Sequence, residues 1–290
     1  MKKILYLSVL FLAVQGWSCG VVQSVAVNST SGILTYGMAA IFEEPDLTIA
    51  EQAIPGNLKL VEALYRAKDG DDDKLGTMLA QGYTGYALGF VEDTDPERAK
   101  AIYARARDYG LKVLRKNKKF DAAFSQDNEA FQAGVNTFTK DDVPTIFWTA
   151  NAWGNLVNLG MSDPDIIGDL SKVNALMDFV LRTEPTFFYG SAHLYFGTIL
   201  ATMPKVLGGK PDLAKQHFDT AFAMGNKKLL LPYFYMAKSY AVQVQDKELF
   251  LSLLKTVEDT PVDILPEQQL VNAIAKRKAK ALAARVDELF

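Results

Sequence analysis

The one cysteine of this 290-residue chain, Cys19, stands where a thiol can serve as the nucleophile for lipid attachment. Lys2 and Lys3 give a positive start, Ile4 to Val14 an apolar run, and Gly16-Trp17-Ser18-Cys19 a processing point. Cleavage before Cys19 followed by diacylation would tether the chain to a bacterial membrane. Two plainer accounts compete: an ordinary secretory signal with a chance cysteine, and a membrane-spanning anchor. The anchor falls short on length, because about a dozen apolar residues cannot do what roughly 20 must do to cross a bilayer. The expected division is a lipoprotein signal peptide over 1–18, a tether over 19–31 and a single helical domain over 32–290. With Cys19 lipidated no thiol remains for a disulfide, so packing alone must hold the fold.

The sequence carries no other reactive constellation. The two histidines, His193 and His217, have no metal-ligand spacing. Beside Phe218, His217 reads as a surface residue. His193 sits among Phe187, Phe188, Tyr189 and Tyr195, as a donor into a cavity or as a satisfied core residue. The run Asp69-Gly-Asp71-Asp72-Asp73 begins like a calcium loop, but Lys74 replaces the turn glycine and Ala80 the closing glutamate. A solvated interhelical turn is the better reading. Gly208-Gly209-Lys210 lacks the first glycine of a phosphate loop, and no nucleophile elbow surrounds Ser191. No enzyme activity, metal or cofactor is expected. The formal charge of -3 becomes about -5 once Lys2 and Lys3 are removed, so no basic excess favours nucleic acid.

The residues best suited to holding a small molecule lie between Pro144 and Asn155. Phe147, Trp148 and Trp153 offer flat apolar faces, and Asn151 and Asn155 lie one helical turn apart on a shared face. Aromatic walls with a few amides are typical of small-ligand pockets. The alternative is that both tryptophans are core and the asparagines cap nearby backbone.

These residues are positioned by an all-α scaffold. A hydrophobic fraction of 49% supports a substantial core, and apolar residues recur at three- and four-residue spacing. Breaks are expected at Pro45, Pro55, Asp69 to Asp73, Asp93 to Pro96, Pro144, Asp163-Pro164, Pro185, Gly208 to Pro211, Pro232, Pro261 and Pro266. Tyr83, Tyr86, Ala87 and Phe90, followed by Ala99, Tyr103 and Ala106, carry the large-small-large pattern of a tetratricopeptide hairpin, with Leu111 where its proline would stand. Looser copies start at Trp153, His193 and Tyr233. The expected architecture is an array of antiparallel helical hairpins curving around a central cleft or pore, against a generic α-bundle. A last helix over Glu267 to Phe290 should turn Lys276, Arg277, Lys278 and Lys280 outward as a solvated face.

Several segments resemble the TatT lipoproteins, the tetratricopeptide subunits associated with TRAP transporters. They are Phe147 to Gly154, Pro185 to Leu194, Leu207 to Ala214 with His217-Phe218, Gln245-Asp246 with Phe250, and Asn272 to Phe290. The resemblance runs from about Thr35 to the C-terminus and also fits the N-terminal cysteine. It implies a lipid-anchored periplasmic homotrimer that docks the TRAP-type solute-binding protein. It further implies a pore for a hydrophobic or amphipathic small molecule, such as an organic acid with an apolar body. Phe147, Trp148, Asn151, Trp153, Tyr189 and His193 are the expected ligand-binding residues. The main rival is an envelope assembly scaffold that binds proteins and no solute; a further one is an enzyme on envelope polymers, which would need a carboxylate pair in a cleft.

Overall fold

The computed structural model describes residues 33–160, 168–203 and 208–290; Cys19, the signal segment and the tether lie outside them. Helices dominate, and among the described residues there is no strand. The first half contains α1 (33–42), α2 (Leu47–Arg66), α3 (Asp73–Tyr86), α4 (Pro96–Leu114), α5 (Lys118–Ala123), α6 (Asn128–Val135) and α7 (Val143–Leu159). The second half contains α8 (Leu170–Thr183), α9 (Phe187–Thr202), α10 (Pro211–Met224), α11 (Leu231–Tyr235), α12 (Lys247–Asp259), α13 (Gln269–Ala283) and α14 (Val286–Leu289).

Helix starts follow from side-chain capping. Asp46, Asp72, Asp95, Asn117, Asp127 and Asp246 each accept hydrogen bonds from backbone N–H groups of the following first turn, which the helix itself leaves unpaired. The acidic run at Asp69 to Asp73 is thereby explained. Asp72 caps α3, while Asp71 and Asp73 both pair with Lys116. Pro55 does not break the chain as expected, but sits inside α2. The buried stripe of Ile54, Leu58, Val61 and Tyr65 packs α2 into the core and outweighs the one backbone bond that Pro55 removes.

Neighbouring helices pack in chain order. α2 lies on α3, α3 on α4, α4 on α7, α7 on α8, α8 on α9 and α9 on α10. Where small residues were expected to bring α3 and α4 together, Ala87, Ala99, Tyr103 and Ala106 are completely buried. At the α4–α7 contact a Cβ on Gly110 would run into the Thr149 side chain, so glycine permits that approach. The first and last hairpins share a further detail. α3 runs on into a π turn at Ala87–Val91 and α11 into one at Met236–Ala241, and each is followed by an aspartate-capped helix. α4 continues past Leu111 to Leu114, as the missing proline allows.

The chain ends meet. α13 packs against α12 and also against α2, and its residues contribute to both apolar cores of the molecule. Its basic residues do not form the expected solvated face. Lys278 is 3% exposed, with its Nζ 2.8 Å from Glu92 Oε1 and 2.7 Å from Asp93 Oδ2. Lys276 donates to the carbonyls of Glu258 and Thr260, and Arg277 donates to the carbonyl of Gly89. Only Lys280 of the four is exposed. Long cationic side chains can cross an apolar face when carboxylates or carbonyls await their tips. The expected single helix also breaks after Ala283 and resumes at Val286.

A central cavity walled by aromatic rings and amides

A cavity of about 210 Å³ lies among α1, α2, α3, α7, α9, α11 and α13. An engineered apolar cavity of roughly 150 Å³ already binds benzene, so this space suffices for a small organic molecule. From α3 on, the lining comes from α3, α7, α9, α11 and α13, whereas α4, α8, α10 and α12 contribute nothing to it.

One wall is aromatic. Phe188 places its ring 5.1 Å from Trp148, 6.0 Å from Phe147 and 6.1 Å from Phe42, centroid to centroid. Met38, Ile41, Leu58, Met78, Leu194 and Ile274 extend the apolar lining. The backbone that presents Phe188 is unusual. Phe188, Tyr189 and Gly190 have φ of 43°, 58° and 76°, forming one left-handed turn before the right-handed part of α9. L-residues pay roughly 1–2 kcal/mol each for that conformation, and such strain concentrates at functional sites. Ser191 Oγ stabilises the turn by donating to the Phe188 carbonyl at 2.6 Å.

The polar part of the lining is neutral. Asn151, Asn155 and Asn158 of α7 face the cavity with Asn57 and Gln81. Asn155 Nδ2 donates to Asn151 Oδ1 and to the Asn151 carbonyl, both at 2.9 Å. The cavity hydroxyls of Thr84, Thr198 and Thr202 donate to backbone carbonyls of their own helices. Tyr195 donates to Asn174 Oδ1 at 2.6 Å, and burial pushes its hydroxyl well above its ordinary pKa. No Asp, Glu, Lys, Arg or His is among the described lining residues.

Of the residues singled out in the sequence, Phe147, Trp148 and Asn151 line this cavity. Trp153 does not. It is five residues from Trp148, about 140° around the helix at 100° per residue, and so faces away. Its Nε1 donates to Asp169 Oδ2 at 3.0 Å, with Arg107 and Lys172 over its ring. Tyr189 also lies off the lining, and its hydroxyl donates to Glu267 Oε1 at 3.0 Å. His193 lies on the opposite side of α9, where its Nδ1 is 3.0 Å from Nδ1 of His217. His217 is half-buried, not the surface residue expected, and the two imidazoles share one hydrogen bond. Burial, and for His193 also the neighbouring His217, lowers both pKa values. Phe42, Asn57, Gln81 and Asn158 were not singled out. Asn158 was within reach, since it repeats the spacing of Asn151 and Asn155 by one more turn. The others come from helices whose convergence no local pattern encodes.

A second polar cluster borders this region. Glu62 of α2 accepts from Lys59 Nζ at 2.7 Å, Tyr83 at 2.6 Å and Tyr109 at 3.0 Å. Burial alone would raise the carboxyl, but the hydrogen bonds from Lys59, Tyr83 and Tyr109 outweigh it and hold its pKa at about 2. Every oxygen is satisfied, so the cluster joins α2, α3 and α4 and leaves no free acid for catalysis. Among the described residues no three His, Cys, Asp or Glu side chains are grouped to hold a metal ion. Nor is any described helix long and apolar enough to cross a membrane.

The sequence is similar to a protein of Treponema pallidum (strain Nichols), itself described as uncharacterized. The two are 23% identical over 272 residues, covering 86% of this chain and 81% of that protein. The pattern of the family described as TRAP transporter T-component is matched over residues 43–290, from just after α1 to the end of the chain. That description ties the family to transport. On that match the chain belongs to the TRAP transporter T-component family.

Proposed function

We propose that this protein is the lipid-anchored envelope component of a TRAP system. In this reading it docks the system's solute-binding protein and holds a hydrophobic or amphipathic small molecule in its central cavity. The observation that carries the ligand part is the cavity itself: aromatic rings and aliphatic side chains surround open space that side chains do not fill. A pure assembly scaffold has no need of such a space. Family membership supports the association with a TRAP system. Cys19 as the lipid attachment site, assembly as a homotrimer and the periplasmic face of a membrane complete the proposal.

Its test is purification of the protein from native envelopes under mild detergent. Co-purification of a TRAP-type solute-binding protein is the expected result. Recovery of the intact protein without any such partner, under conditions that preserve other envelope complexes, would contradict it.

A further inference from the structure

We infer that the cavity selects molecules whose polar end is uncharged, such as amides or alcohols on an apolar body, over the corresponding carboxylates. This rests on the reading of the cavity as a ligand site and names the class of ligand it would take. The polar groups of the lining are amides and hydroxyls, and no cationic side chain among the described residues reaches it. The hydroxyls of Thr84, Ser191, Thr198 and Thr202 donate to backbone carbonyls. The amides keep free capacity: Gln81 and Asn158 make no side-chain hydrogen bond among the described residues, and the Asn151–Asn155 pair is only partly engaged. Asn155 Nδ2 is engaged by Asn151, while Asn151 Nδ2 and Asn155 Oδ1 make no hydrogen bond among the described residues.

One donor and one acceptor, a helical turn apart, therefore face the cavity. An amide or hydroxyl group both donates and accepts, so it can satisfy the two together. An ionised carboxylate only accepts. It would leave Asn155 Oδ1 unpaired and bring its own charge against aromatic walls without a counter-ion. Burying an unpaired charge costs far more than burying a hydrogen-bonded neutral group. The carboxylate would have to take up a proton to enter, and its affinity would then fall as pH rises above its own pKa.

The test is isothermal titration of the full chain at neutral pH with decanamide, decanol, decanoate and decane. Decanamide and decanol should bind at least about tenfold more tightly than decanoate, a difference of about 1.4 kcal/mol. Decanoate binding as tightly as decanamide would overturn the inference while leaving the ligand site standing. Failure of all four probes would overturn the ligand site itself, and the inference with it. The variant Asn151→Leu/Asn155→Leu supplies the second arm. It should lose about tenfold or more for decanamide yet still bind decane, which also reports an intact cavity. Unchanged decanamide affinity in that variant would remove the asparagine pair from the account. Should the double variant not fold, Asn155→Leu alone tests the same point: decanamide affinity should fall about tenfold, and unchanged affinity would remove the pair from the account.

Discussion

Lys278 and Glu92, 186 residues apart in the chain, meet at 2.8 Å in the interior and join the last long helix to the first hairpin. The side chain of Lys278 is 2% exposed and that of Glu92 12%, so neither charge is left to water. The far oxygen of Glu92 accepts from the Tyr103 hydroxyl at 2.5 Å. Burial and the adjacent Glu92 raise the pKa of that hydroxyl well above its usual value, keeping it a donor. The two elements it joins also reach the cavity, α13 through Leu270 and Ile274 and the π turn before Glu92 through Leu88.

Breaking a buried pair by removing one partner strands the other charge, at a cost of about 3–5 kcal/mol. Lys278→Met should therefore lower the unfolding free energy by about 3 kcal/mol, measured by urea denaturation. Lys278→Met/Glu92→Gln should recover part of that loss. A single variant within about 0.5 kcal/mol of the parent would show that this contact does not hold the chain ends together.

Glu62 makes stability pH-dependent in a defined window. Its folded pKa of about 2 lies below the ordinary 4.5, so the unfolded chain binds the proton more readily. The stabilisation is complete above pH 4.5 and is lost progressively as pH falls toward 2. Glu62→Gln should cost about 2–3 kcal/mol near neutrality through loss of charged hydrogen bonds. The gap between parent and variant should narrow across that window. Denaturant midpoints that stay equally far apart down to about pH 2.5 would contradict this assignment.

Gly190 ends the left-handed turn that presents Phe188, and it has no room for a side chain. Its φ is 76°, and a Cβ there would meet Met224 Sδ at 2.7 Å. Gly190→Ala should cost about 1–3 kcal/mol from backbone strain and displacement of Met224. Loss of apolar-ligand binding should accompany it, because the aromatic wall shifts with the turn. Thermal unfolding and ligand titration on the same variant check both. Unchanged values would mean that the turn is not needed to place Phe188.

The helical class, the first hairpin and the cavity face of α7 were legible because they are written in local spacing. Tyr83, Ala87, Ala99 and Tyr103 repeat at helical intervals, and Phe147, Trp148 and Asn151 fall on one side of a helix. Trp153 was misplaced because aromatic character was read without the angle between positions. The basic residues of α13 were misread for a different reason. Lys276, Arg277 and Lys278 look like a solvated run until Glu92 and Gly89 arrive from the far end of the chain and Thr260 from the end of the preceding helix. Pro55 likewise reads as a break only when the burial of Ile54 and Leu58 is unknown. For Pro55 and for the basic residues of α13, what escaped the sequence was a tertiary partner.

The central claim, that an apolar ligand sits against Trp148, is tested most directly by tryptophan fluorescence. The chain has three tryptophans, and Trp148 lines the cavity while Trp153 faces away from it. In a Trp17→Phe background, Trp153→Phe leaves Trp148 as the sole reporter, and Trp148→Phe leaves Trp153. A bromine-labelled aliphatic amide should quench the first variant saturably and leave the second nearly unchanged. Equal quenching of both variants, or none in either, would contradict a ligand site at this cavity.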